Sequence, residues 1–314
     1  MVISIRAIAG KEKSAVECGA LLAGMTALCK SKKTVLLQYT AGETVSALDV
    51  LKGRDLEENR IFGDGVQTYS ENGLDSMRVY ASSMQLGKEQ FNDTVAPIME
   101  KANLFDVLKP STQKDFYDMV ELGHLTAIIE GSKELYDYTY VILPNNENIV
   151  KKVTAICDEN IVVVPHGPVT KDFIVTDDKK PVSYLISDFE SSSKYDVKMV
   201  KKAYNTKKVY TVPHNYLYKD ALLGKNMLGF IMRNKKDMKD DINYPFTASL
   251  NLLLNRLVAG MDDDEDEMDL PQKTKTPEPP KKELQEIPDG AAQEVVVKKG
   301  GLFKKKEKQV TINL

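Results

Sequence analysis

Residues 2–14 read VISIRAIAGKEKS. VISIRAI (2–8) is an apolar run of the length of one buried strand, AGKEKS follows it as a polar loop, and from Ala15 the apolar residues change period. Ala15, Cys18, Leu22, Met25 and Cys29 recur at steps of three and four, which sets them on one face of a helix. TVLLQY (34–39) then has the composition of a second buried strand, reached through the basic turn KSKK. Strand, loop, helix, strand is the opening of a βαβ unit, so a parallel sheet is expected.

The alternation continues to residue 259. SMRVYASS (76–83) and NLFDVLKP (103–110) read as strands, with a helix over 88–102 between them that Pro97 weakens. Residues 111–134 have a Ser/Thr start and helical spacing, YDYTYVILP (136–144) is a strand ended by proline, and 146–159 is a short helix. NIVVVP (160–165) is a continuous β-branched run of the kind buried on both faces of a parallel sheet. PVSYLISDF (181–189), a helix over 193–204, KKVYTVP (207–213), LYKDALLGKN (217–226) and a helix over 245–259 complete the pattern. The predicted fold is α/β, a mostly parallel sheet with helices on both faces, over residues 1–260.

Beyond Gly260 the composition shifts to an acidic block (MDDDEDEMD), a Pro- and charge-rich stretch (274–288) and a basic end, GGLFKKKEK. Such sequence carries too little apolar area to offset its ordering entropy, and 261–314 is expected to be a disordered tail. Its segment 298–308 combines lysines with the pair Leu302 and Phe303, a composition able to touch an anionic membrane weakly. A soluble charged tail is the simpler expectation.

The chain has 314 residues and a net charge of −3, with no global basic excess, so nucleic-acid binding is not expected. Cys18, Cys29 and Cys157 are odd in number and contain no C-x-x-C pair. That predicts neither a disulfide framework nor a zinc site, and a cytoplasmic setting with Cys18 and Cys29 in the core. No signal peptide or span of roughly 18 apolar residues is read in the sequence. His124, His166 and His214 lack metal-ligand spacing; His166 and His214 each follow a proline at a strand end, where pockets of α/β sheets form.

A strand running into a loop that ends Lys13-Ser14 and opens a helix has the context of a P-loop. The chain resembles the MinD/ParA group of P-loop ATPases, whose loop reads G-K-G-G-x-G-K-S/T. Here Ala7-Ile8-Ala9-Gly10-Lys11-Glu12-Lys13-Ser14 retains Gly10, Lys13 and Ser14. Later landmarks match in order. YDYTYVILP is similar to the family's Y-D-Y-x-x-x-D-x-P strand, CDENIVVVPHGPVTKD to its A-D-x-x-x-x-V-x-x-P turn, SYLISDFESSSKYDVKMV to its V-x-N-x-x-x-x-S-K-Y segment, and VYTVPHNYLYKDALLGKNM to its I-P-x-D stretch.

The resemblance implies a P-loop fold and marks departures from it. Ala7 stands at the first loop glycine, and Ile8 at the lysine that crosses the family's dimer interface. Glu12 stands at the glycine before the P-loop lysine, Tyr39 and Ala41 at the paired carboxylates after the helix, and Ile142 at the Walker B aspartate. A Glu12 carboxylate about 5 Å from a phosphate charge would repel it by roughly 3 kcal/mol at an effective dielectric near 20.

Gly10, Lys11, Lys13 and Ser14 are the candidate residues for a weakly bound ATP or ADP, with no catalytic and no metal-ligating residue expected. The alternative is a solvated Lys13, with Ser14 as a helix N-cap and Glu17 closing a capping box. The implied function is a non-catalytic scaffold, able to form a homodimer, that positions a secretion or pilus-type machine at a cell pole or membrane, as in the branch resembling TadZ and CpaE. An active ATP-dependent partition or division-site switch using Lys13 and Ser14 is the competing expectation.

Overall fold

The computed structural model describes residues 1–41, 45–52, 73–98, 104–113, 115–168, 182–235 and 242–259, all within one unit, Met1–Leu270. The tail expected over 261–314, with its 298–308 segment, lies outside the described residues. Among the described residues, eight strands form one sheet in the order β3-β4-β2-β5-β1-β6-β7-β8. They are β1 Val2–Ala7, β2 Thr34–Gln38, β3 Ala96–Pro97, β4 Phe105–Leu108, β5 Tyr138–Ile142, β6 Glu159–Pro165, β7 Val182–Phe189 and β8 Val209–Pro213. Every pairing is parallel except β3 with β4. The mostly parallel α/β sheet read from the sequence is therefore the fold observed.

The helices are α1 Glu12–Cys29, α2 Ala47–Lys52, α3 Leu74–Ser82, α4 Lys88–Thr94, α5 Phe116–Met119, α6 Leu122–Leu135, α7 Glu147–Thr154, α8 Val197–Tyr204, α9 Tyr216–Leu223, α10 Met227–Arg233 and α11 Tyr244–Ala259. From β1 the chain crosses through α1 to β2, and from β5 through α7 to β6, in opposite directions along the sheet. Right-handed crossovers then put α1 on one face and α7 and α8 on the other. The cores agree. Ile3, Ile5 and Tyr140 pack with α1, α10 and α11, whereas Val35, Leu37 and Val141 pack with α3, α6 and α7, and Val162, Ile186, Val200 and Tyr204 form a third cluster.

Three expectations are corrected. Residues 76–82 belong to α3, with Ser83 as its C-cap, and form no strand, because Leu74, Met77 and Ala81 are buried at helical spacing while β-branched Val79 is 66% exposed. The helix over 88–102 stops at Thr94: Pro97, which has no N–H to donate, sits in the short edge strand β3, and 99–102 lie outside the described residues. The helix over 111–134 is two, α5 and α6, separated by extended backbone at Val120 and Glu121.

Helix α1 carries more than one apolar face. It is buried from Ala15 to Leu28 except at Glu17, because α2, α10 and α11 cover the side turned away from the sheet. Two glycines permit that closeness. A Cβ on Gly19 would stand 2.9 Å from Ile142 Cγ1, and one on Gly24 2.8 Å from Ile231 Cδ1. Gly19→Val should therefore destabilise the fold by about 1–3 kcal/mol through overpacking. In urea unfolding, adding Ile142→Ala to that variant should cost less than the same change costs in the native chain, because the two residues share one space.

Candidate functional site

The loop between β1 and α1 folds on itself. Lys11 N–H donates to Ile8 O at 3.0 Å, and Gly10 takes a left-handed conformation, φ 75°, that turns its own N–H toward the helix. That N–H donates to Glu12 Oε1 at 3.1 Å. Glu12 is the first residue of α1, where the unpaired amides of a helix N-terminus favour negative charge. The carboxylate thus takes the kind of contact by which a P-loop amide holds a phosphate.

Two of the four candidate residues are brought together at one cleft and the other two are held by glutamates. Gly10 donates to Glu12, and Lys13 pairs with Glu17 one turn further along the helix, Nζ to Oε1 3.3 Å. Lys11 and Ser14 line a neighbouring cleft. The capping box is corrected as well. Helix α1 begins at Glu12 with Lys11 at its N-cap and no side-chain cap bond, so Ser14 lies inside the first turn and Glu17 serves as the ion-pair partner of Lys13.

At the ends of β2 and β5 the side chains belong to the two cores. Tyr39 is fully buried, its hydroxyl donates to Leu125 O at 2.8 Å, and burial pushes its ionisation well above the ordinary tyrosine range. Ala41 N–H donates to Tyr117 Oη at 3.1 Å. Burial, with the Glu12 charge as a smaller cause, raises the Tyr117 hydroxyl against the lowering effect of that bond. Ile142 is fully buried beneath Gly19.

Beside the loop, the carboxyl ends of β6, β7 and β8 and helices α1 and α9 enclose a cleft of about 470 Å³, the place where open α/β sheets bind ligands. Its floor includes Cys18, Val212, Tyr218 and Leu222, and both His166 and His214 line it, as their positions after strand-end prolines suggested. Asp188, at φ 56° in β7, receives Lys219 Nζ at 2.8 Å and faces His214 Nδ1 at 2.7 Å. Burial alone would raise the Asp188 carboxyl, but the hydrogen bonds and charges of Lys219 and His214 outweigh it and hold it below the usual value.

His166 is oriented by two backbone groups. Glu190 N–H donates to Nδ1 at 3.2 Å, which leaves Nε2 as the protonated nitrogen facing Tyr195 O at 2.9 Å. Among the described residues no serine, threonine or cysteine is hydrogen-bonded to His214, whose ring is paired with Asp188. Burial pushes the Cys18 thiol up to about 12, which keeps it protonated and inert. His124 lies elsewhere, 3.4 Å from Glu121.

Sequence reasoning missed Asp188, Lys219 and Glu190. Asp188 could have been found, because it occupies the asparagine position of the V-x-N-x-x-x-x-S-K-Y resemblance. Because the Asp188 carboxyl is held below its ordinary value, its ion pairs stabilise the fold above the unfolded carboxylate pKa, near 3.9, and are lost as pH falls through the lower folded value. Asp188→Asn should lower stability in urea at pH 7, and its difference from the native chain should vanish in acid.

No protein-family model and no curated protein sequence matches the chain. Solved structures do. A ParA family ATPase from Chlorobium tepidum superposes with a TM-score of 0.60 at 12% identity, covering 82% of this chain and 98% of that one. A chain of the MinC:MinD cell division complex from Aquifex aeolicus gives 0.57 at 14% identity, covering 83% and 96%. A plasmid partition protein from Borrelia burgdorferi, bound to AMPPNP, gives 0.52 at 13%, covering 83% and 98%. Likeness over nearly the whole of those chains at such low identity establishes the architecture: this chain has the fold of the ParA and MinD ATPases.

Proposed function

We propose that the chain is a non-catalytic scaffold on the ParA/MinD fold, which positions or assembles a partner machine without an ATP cycle. One observation carries the reading: Glu12 spends its carboxylate on Gly10 N–H, so the loop supplies its own anion. A nucleotide phosphate would have to displace that carboxylate and then bear its charge at close range.

The residues present do not fit a magnesium-bound nucleotide either. Metal-bound water needs carboxylate oxygens that accept hydrogen bonds, and Ala41 and Ile142 offer alkyl groups, while the Tyr39 hydroxyl is committed to Leu125. Phosphoryl transfer depends on positioning and charge stabilisation, so no hydrolytic step is assigned to these residues. A homodimer and a partner of the secretion or pilus-assembly class, at a cell pole or membrane surface, follow from the sequence resemblance. The MinC:MinD complex is a precedent on this fold for a protein partner.

The competing switch requires Lys13 and Ser14 to hold ATP. On the scaffold reading, Mg-ATP at about millimolar concentration produces no calorimetric heat, no phosphate release and no dimerisation. Saturable binding that falls sharply in Lys13→Ala would establish the switch instead. For the positioning role, a tagged full-length chain should localise to discrete sites in its own cell, and an even distribution would count against it.

A further inference from the structure

Helix α8 turns Val200 and Tyr204 into the core and presents Lys198, Met199, Lys201 and Lys202 to solvent. Lys194, just ahead of the helix, is exposed too, with its ammonium 5.1 Å from the centre of the Tyr195 ring. No carboxylate among the described residues pairs with these four lysines, whereas nearby Lys208 is bound to Glu159 at 3.1 Å. Helix α7, on the same sheet face, adds exposed Lys151 and Lys152. Within 194–204 the one carboxylate is Asp196, which is the N-cap of α8 and accepts from Met199 N–H at 2.8 Å. In a chain whose net charge is −3, these lysines have no ion pair among the described residues, and Lys198 and Lys202 flank an apolar side chain, Met199, that is 49% exposed.

We infer that this face of α8 is a docking surface for an acidic segment of a partner protein, one that carries an apolar residue among its carboxylates. The lysines supply complementary charge and orientation, and Met199 supplies a flexible, polarizable apolar contact of the kind found on adaptable binding surfaces. A nucleic acid fits less well. The helix is about 12 Å long and spans few phosphates. The strip has no arginine for bidentate phosphate or guanine contacts, and a sugar-phosphate backbone leaves Met199 uncovered. A bilayer would require more than one apolar residue to insert.

The inference rests on the scaffold reading for its biological meaning, and the two fail separately. Mg-ATP binding would remove the scaffold reading and leave this surface standing, whereas acidic binding that ignores the lysines would remove this surface alone.

The test uses the full chain and, in parallel, a full-length variant with the acids of 262–267 changed to their amides, so that the chain's own acidic block cannot mask binding. Fluorescence anisotropy follows a labelled peptide of repeated Glu-Glu-Leu, a duplex DNA oligonucleotide, and phosphatidylglycerol vesicles carrying a labelled lipid. The peptide should bind best and weaken with rising salt. Combined Lys198→Glu, Lys201→Glu and Lys202→Glu should cost at least about tenfold in affinity, and Met199→Ser about threefold, with circular dichroism unchanged. Peptide affinity indifferent to the three reversals, or tighter binding of DNA or vesicles through the same lysines, would overturn the assignment.

Discussion

Helix α1 is enclosed, and that enclosure sets the geometry of everything at its N-terminus. With the sheet on one side and α2, α10 and α11 on the other, it can neither tilt nor slide without opening voids around Gly19 and Gly24, where the neighbouring isoleucines come within contact of the helix. The loop after β1 is therefore pinned at both ends. Within it, the left-handed turn at Gly10 leaves one N–H facing the first residue of the helix, and in this chain that residue is a glutamate.

Tyr39 and Ile142, at positions where the resembled family carries carboxylates, are fully buried, one in each core. A side chain at 142 lies under the helix in an apolar contact, and one at 39 lies in the opposite core with a single backbone carbonyl to satisfy it. Isoleucine and tyrosine suit those buried positions. An unpaired carboxylate there would cost several kcal/mol. Acid–base groups concentrate instead around the cleft of β6, β7 and β8, where Asp188, His214 and Lys219 satisfy one another and His166 is held by backbone.

The fold was legible because its strands are written as continuous apolar or β-branched runs bounded by turn residues, and because five landmarks occur in the family's order. Local propensity misled at 76–83, where the burial pattern of Leu74, Met77 and Ala81 overrides the strand preference of Val79 and Tyr80. At the loop the substitutions could be read, but their consequences could not. The Glu12 contact depends on the backbone angle of Gly10, and the helix starts two residues before Ser14, the expected cap. Asp188 meets partners 26 and 31 residues away, at the end of another strand and on the helix beyond it, a proximity that only the sheet order creates.

The Glu12 carboxylate holds the Gly10 amide, and the reading of the loop depends on that contact. Amide NMR of the full chain measures this at one resonance, by following Gly10 N–H in the native protein and in Glu12→Ala, with and without Mg-ATP. The Gly10 resonance should differ strongly between the two proteins and should not move saturably with Mg-ATP in the native chain. A saturable shift in the native chain, or no difference on removing the Glu12 carboxylate, would contradict it.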